Sequence, residues 1–265
     1  FDFVADIGAQ VPMRTISMLL GIPEQDQEGF RDRVDSDLRT EAGQPMRSSI
    51  NTGEMFASYI DWRAEHPSDD IMTDLMRAEF EDETGTRRRL TRDEILVYLA
   101  VVSGAGNETT SRLIGWAGKV LADHPDQRRE LAADPALIPA AIEELLRYEP
   151  PGTHIGRYVA RDVEWYGQRV PEGSAMLLLV ASANRDDRRY PDGDRFDIHR
   201  EFSMSVTFGR GIHYCLGAAL ARLEGRIALE EILRRFPEWD VDTDAARLAP
   251  TSTVRGWESL PVLIP

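Results

Sequence analysis

The chain has 265 residues, 42% of them hydrophobic, and a formal net charge of −15 from 46 acidic and 31 basic side chains. That length buries a substantial core, while the acidic excess argues against nucleic acid or an anionic membrane surface as the main partner, because both attract basic proteins. A single cysteine excludes an intramolecular disulfide and fits a reducing, cytoplasmic setting.

The opening "FDFVADIGAQ" has no basic start, and Asp2 and Asp6 interrupt its apolar residues, so it does not read as a secretory signal. It begins as though inside an amphipathic segment and without an initiator Met, and an N-terminal part is expected to be missing. Phe3, Ile7 and Val11, then Ile16, Leu19 and Leu20, follow helical spacing up to the break "GIPEQD" at 21–26. Two further helices are expected at 54–67, ending at Pro67, and at 68–80, with "EDETGTRRRL" (81–90) as a charged, solvated linker. Thr91 opens a capping box with Glu94. From it one helical pattern runs to Pro125, over 30 residues and so roughly 50 Å long. Much of that helix is apolar on every side and is expected to be buried.

A helix over 135–152 stops at Pro150–Pro151, and 161–186 changes to strand-like runs around "YGQ" and "PEG" turns, a small antiparallel sheet. Its apolar run "AMLLLVASA" (175–183) is too short to span a bilayer. A loop-rich stretch to Ser205 precedes "FGRGIHYCLG" (208–217), an amphipathic helix (216–236) and short closing strands. The fold class is mainly α, with a long central helix and a minor sheet.

Why the lone cysteine stands in "FGRGIHYCLG" is the question that leads to function. An unpaired cysteine is usually a small buried hydrophobe. Cys215, however, lies where a helix begins, where free backbone N–H groups and the helix dipole favour a thiolate. Gly209, Gly211 and Gly217 let the backbone wrap closely around the sulfur. Tyr214 stands where a dinucleotide fingerprint needs glycine, and no lysine completes a phosphate loop. The five histidines are too scattered to make a zinc site with one cysteine. A single axial thiolate suits a haem iron.

With these residues in place, "FGRGIHYCLG" resembles the haem-binding signature of the cytochrome P450 superfamily, Phe-x-x-Gly-x-x-x-Cys-x-Gly, at every fixed position. Three further segments resemble the family in the same order. They are "AGNETT" (105–110) in the central helix, Glu144 and Arg147 at Glu-x-x-Arg spacing in "EELLRYEPP", and "ANRD" (183–186) with "DRFDIHR" (194–200). The resemblance covers the whole chain but only the later part of a family member. It implies one haem-binding domain over 1–265, mainly helical through 160, with a small sheet, the ligand loop, a proximal helix and terminal strands after it.

The resemblance implies haem b (iron protoporphyrin IX) with Cys215 as its axial ligand and Phe208 shielding the sulfur. Ala105 and Gly106 are the small residues that let the central helix approach the cofactor. Glu108 and Thr109 are the acid–alcohol pair that delivers protons during oxygen activation. His213 and Arg157 match positions that reach the haem propionates. Glu144 and Arg147 form a buried structural network with Arg195 or Arg200. One departure is Ser205, which stands where many bacterial relatives carry histidine. Val101, Val102, Thr153, His154, Ile155 and the "TSTVRG" turn (251–256) are expected to line a pocket for a lipophilic substrate.

The implied activity is that of a bacterial monooxygenase using O₂. No flavin or iron–sulfur motif is present, so electrons come from a separate ferredoxin- or flavodoxin-type donor. Arg210, Arg222 and Arg226 are candidates for its docking patch. A non-catalytic haem-binding module and an inactive, self-associating fragment are the alternatives; the Glu108–Thr109 pair argues for the enzyme over the module.

Overall fold

Asp2 starts the chain by capping a short π-helical segment, Phe3–Gly8, its carboxylate accepting from the N–H groups of Val4 and Ala5 at 2.8 and 2.9 Å. The computed structural model describes residues 1–38, 56–201, 204–251 and 254–265. The same Asp2 side chain reaches the other end of the chain, accepting from Ser259 Oγ at 2.6 Å and the Leu260 N–H at 3.0 Å. Two backbone bonds complete this seam, Phe3 N–H to the Leu260 carbonyl and Val262 N–H to the Phe1 carbonyl, both at 2.9 Å.

Four helices follow: α1 (Gln10–Leu20), α2 (Gln27–Leu38), α3 (Ala57–Glu65) and α4 (Ile71–Arg77). Residues 54–55 of the helix expected over 54–67 lie outside the described residues. Gly21 ends α1 in the left-handed conformation, φ +72°. The linker expected at 81–90 is instead a hairpin, β1 (Glu79–Glu81) against β2 (Arg87–Arg89). Charge rather than apolar alternation holds it. Arg88 bridges Asp82 at 3.0 Å and Glu94 at 2.8 Å, with its guanidinium over the Phe80 ring. The Thr84 hydroxyl, the Thr86 N–H and Arg88 together hold the Asp82 carboxyl down at about 2.

The central helix α5 (Arg92–Asp123) has the expected length and start: Glu94 accepts from the Thr91 N–H at 2.7 Å while Thr91 Oγ1 accepts from the Glu94 N–H. Burial corrects the expectation of a helix covered on all sides. Val97, Tyr98 and Val101 are about half exposed, whereas the helix from Leu113 to Leu121 is almost wholly buried. The reason is what packs on each half. Ile16 and Leu20 of α1 meet Ile95 and Leu99 on one face only. The later half is enclosed by the Phe3–Gly8 segment, α6 (Pro125–Ala133), α7 (Ile138–Tyr148) and α9 (Ala218–Arg235), with Trp239, Leu260 and Val262 closing that core.

The region expected as one small sheet is two antiparallel pairs. β3 (Ile155–Tyr158) pairs with β6 (Ala175–Leu178), and β4 (Val163–Trp165) with β5 (Gln168–Val170) across Tyr166 and Gly167, both at positive φ as a tight two-residue hairpin requires. A short helix α8 (Val180–Ala183) takes up the end of the apolar run. The closing strands β7 (Asp240–Val241), β8 (Arg247–Leu248), β9 (Trp257–Ser259) and β10 (Val262–Leu263) pair as β7 with β10 and β8 with β9. No helix among the described residues is long and apolar enough to cross a membrane.

Where α9 meets α1, Glu224 is 5% exposed and one carboxylate oxygen has no partner. Burial pushes its carboxyl up to about 7, against a smaller opposing effect of the Thr15 hydroxyl. Between about pH 4.5 and 7 the folded chain therefore keeps a proton that the unfolded chain has lost, and stability falls as pH rises through that window. Glu224→Gln is expected to remove this slope. At pH 8 it gains on the order of 3 kcal/mol over the parent, and near pH 4 the two are equal; denaturant titrations at both pH values measure the difference.

Candidate active site

Three elements converge on a cavity of about 230 Å³. α5 contributes Thr109, Thr110 and Leu113. The stretch after α7 contributes Pro151, Gly152 and Ile155, and the 207–215 loop with α9 contributes Thr207, Phe208, Gly209, His213, Cys215 and Ala221. The cavity brings the Thr109 hydroxyl and the Cys215 thiol to one largely apolar space.

Cys215 sits on the turn before α9, two residues ahead of the helix N-cap Gly217, rather than in the helix itself. Its N–H donates to the Phe208 carbonyl at 2.8 Å, closing the loop into a compact ring of backbone. Gly209 has φ +70°, and a Cβ there would stand 3.2 Å from the His213 carbonyl oxygen, so this turn admits glycine without strain and other residues only with it. The free thiol is exposed, against the habit of unpaired cysteines. Beside it Ile212 and Leu216 are 97% and 88% exposed, apolar side chains with nothing over them in the protein.

The loop is fixed from behind. Asn184, fully buried, donates to Thr207 Oγ1 at 2.8 Å and accepts from the Val206 N–H at 2.9 Å, and Thr207 Oγ1 donates to the Leu146 carbonyl at 2.7 Å. Ser205 is buried and donates to Thr207 Oγ1 at 3.2 Å. Under this lies the Glu144–Arg147 pair, bidentate at 2.7 Å with both side chains buried. Arg147 also donates to the carbonyls of Asn184, Gly193 and Arg195. Arg195 thus enters through its backbone oxygen while its exposed guanidinium turns to Asp197, and Arg200 is the second cation on Glu144, at 3.2 Å. The Glu-x-x-Arg spacing signals the pair; the Asn184–Thr207 link is a long-range contact that "ANRD" does not announce.

Other expected site residues fall elsewhere. Gly106 faces α1: a Cβ there would lie 2.6 Å from Ile16 Cδ1, so its smallness serves the α1–α5 contact and not an approach to the cavity. Ala105 is exposed, and its carbonyl accepts the Thr109 hydroxyl at 2.6 Å. Glu108 does not reach the Cys215 cavity. Neighbouring helical residues point about 100° apart, and Glu108 lines a separate polar cavity of about 300 Å³ with Asn107, Ser111 and Arg112. There Arg112 holds it at 3.2 Å. The i, i+4 spacing of Glu108 and Arg112 is the sequence signal for this partner.

Of the expected substrate-pocket residues only Ile155 lines the Cys215 cavity. Val102 packs on the α1–α5 cluster, Val101 is exposed, and Thr153 bonds His154 at 3.1 Å outside it. Residues 252–253 of the "TSTVRG" turn lie outside the described residues. Arg157 on β3 is exposed and donates to the Gly156 carbonyl. Gly217 forms the N-cap and is not in the lining. Of the three arginines expected as a docking patch, Arg222 is paired with Glu143 and lies over the Phe208 ring, and Arg226 pairs with Glu230 at 3.6 Å.

The lining fits an iron porphyrin: an accessible thiol in a glycine turn, apolar side chains for a flat macrocycle, and a histidine at the edge. Among the described residues no cluster of three or more His, Cys, Asp or Glu could hold a metal by itself.

Comparison with known proteins agrees. The family model described as "Cytochrome P450" matches residues 132–254. A putative cytochrome P450 123 of Mycobacterium tuberculosis is 38% identical over the whole chain, and the chain spans 66% of that protein's length. The cytochrome P450 monooxygenase PikC of Streptomyces venezuelae is 36% identical over 98% of the chain, which spans 63% of PikC. Among solved structures, ligand-free cytochrome P450 TbtJ1 superposes with a TM-score of 0.89 at 36% identity, covering the whole chain and 71% of that structure. Fold, motif order and overall similarity coincide: the chain belongs to the cytochrome P450 family.

Proposed function

We propose that this chain carries the haem-thiolate site of a monooxygenase that places one atom of O₂ into a C–H bond of a lipophilic small molecule. The other atom leaves as water, with two protons and with two electrons from a separate ferredoxin- or flavodoxin-type donor. The observation that carries this reading is the single apolar cavity shared by Thr109 of α5 and Cys215 of the loop before α9. The similarity to PikC, itself named a monooxygenase, supports it.

Haem b bound through Cys215 supplies the dioxygen reduction and C–H oxidation. The protein's own residues do the rest. Cys215 offers its sulfur from a turn closed by its own N–H on the Phe208 carbonyl. His213 stands at the cavity edge as a partner for a propionate, with Arg157 available from β3. Thr109 commits its hydroxyl proton to the Ala105 carbonyl, which leaves its oxygen lone pairs to hold a proton donor in the cavity. Apolar Leu113, Leu146 and Ile155 exclude water and suit a lipophilic substrate.

Adding haemin to the purified chain and reducing it under carbon monoxide tests the reading: a strongly red-shifted Soret band is expected, and its absence would sink it. Thr109→Ala is expected to keep that band and to divert electrons to peroxide, lowering product per electron pair by roughly 10²-fold, the low end of what a positioned proton donor contributes. Unchanged coupling would remove the role given to Thr109. An inactive, self-associating chain is the second reading, and the exposed Leu177, Leu179, Ile212 and Leu216 favour it; large assemblies on size exclusion with no product would select it.

A further inference from the structure

The acid and the alcohol of the α5 pair open on different cavities, and one residue governs the acid's side. Arg112 is 12% exposed and Glu108 7%. Arg112 Nη2 donates to Glu108 Oε1 at 3.2 Å, and its Nη1 donates to the backbone carbonyl of Trp257 on β9. Its path to that carbonyl runs over Gly256, where a Cβ would come within 2.4 Å of Arg112 Cδ. The guanidinium is therefore stretched between the central helix and a closing strand, and its Nε, buried, has no partner.

The surrounding cavity is polar, lined by Arg31 and Asp32 of α2, Asn107 and Ser111 of α5, Thr251, and Glu258 of β9. Arg31 and Asp32 pair with each other at 2.7 Å. Among the described residues Glu258 and Asp32 are the other carboxylates lining this space, and Arg31 the other cation. The Phe3–Gly8 segment contributes only Val4 and Ala5, and Ala9 follows between it and α1.

We propose that Arg112 is a positioning residue for the acid–alcohol pair: it anchors the Glu108 carboxylate in the polar cavity, one helix face away from Thr109, and ties that position to β9 through the Trp257 carbonyl. The inference rests on the monooxygenase reading for its use but not for its test. A buried carboxylate that loses an adjacent guanidinium protonates more readily, because the charged form loses a neighbouring opposite charge. Movement of β9 then changes how firmly Glu108 keeps its charge and its place.

The test is the titration of Glu108 in the full chain by isotope-edited infrared difference spectroscopy, its signal identified as the carboxyl band missing from Glu108→Gln. Arg112→Met is expected to raise the Glu108 midpoint by about 1–3 pH units. Arg112→Lys returns it most of the way by restoring the charge. Gly256→Ala, which touches neither carboxylate nor guanidinium nitrogen but crowds Arg112 Cδ, gives a smaller shift in the same direction. An unmoved midpoint in Arg112→Met overturns the proposal; should that chain fail to fold, an unmoved midpoint in Gly256→Ala overturns it. The haemin spectrum is recorded on the same samples. A shifted midpoint without the red-shifted band keeps the Arg112–Glu108 link and defeats the haem reading, and a normal band with an unmoved midpoint does the reverse.

Discussion

Cys215→Ala is expected to abolish the red-shifted Soret band of the reduced, carbon monoxide-treated chain while leaving the thermal midpoint of the haem-free chain in place. The two halves of that result have separate causes. The band depends on an anionic sulfur, and this chain has one cysteine, so no other residue can replace it. Stability is untouched because the thiol is exposed and the loop is closed by backbone: the residue 215 N–H still reaches the Phe208 carbonyl, and the Asn184–Thr207 link still holds the loop. Substitutions at exposed positions stay within about 0.5 kcal/mol. Loss of band and fold together would mean that the sulfur has a packing role the structure does not give it.

The second large effect is on folding. Arg147→Met is expected to cost about 3–5 kcal/mol, because it removes the bidentate partner of Glu144 in a site where both side chains are at most 1% exposed and leaves the carboxylate only one cation, Arg200, at 3.2 Å on one oxygen. For a domain of this size that lowers the melting temperature by about 10 °C. Buried ion pairs are often replaced by apolar residues at no loss, but here that escape is closed. Arg147 also satisfies the carbonyls of Asn184 and Gly193, and each orphaned carbonyl costs about 1–3 kcal/mol, whereas the Arg195 carbonyl keeps its second donor, Arg200 Nη2 at 2.8 Å. Glu144→Leu with Arg147→Met is therefore expected to be no more stable than Arg147→Met alone, as read from denaturant midpoints. A double variant that recovers parental stability would show that the Asn184 and Gly193 carbonyls find other donors.

What the sequence discloses divides by range. The Thr91–Glu94 capping box, the stop at Pro150–Pro151 and the Glu144–Arg147 spacing are local, each set by residues within three or four positions, and each appears where the pattern puts it. The cysteine loop is legible for the same reason, since its ring closes within eight residues. The β1–β2 hairpin was hidden because "EDETGTRRRL" has no apolar alternation to read, and its hold comes from Arg88 reaching forward to Glu94 and back to Asp82. Gly106 and Glu108 show a deeper limit. The pattern identifies both as unusual in an apolar helix, but whether either faces the cavity depends on how α5 is rotated, and neither does: Gly106 packs on Ile16 of α1, 90 residues away, and Glu108 lines the polar cavity.

The seam between Asp2 and the Ser259–Val262 segment has a kinetic consequence. Its contacts close loops of up to 261 residues, from Phe1 to Val262, which in a flexible chain costs about 5 kcal/mol in loop entropy before any contact compensates it. On the ribosome, the first residues of this segment emerge long before their partners are made, so Phe3 must wait while α5, α7 and α9 assemble around its empty place. Refolding is then expected to end in a slow docking step that buries Phe3 against Trp239, read as a late change in tryptophan fluorescence after the helical signal is complete.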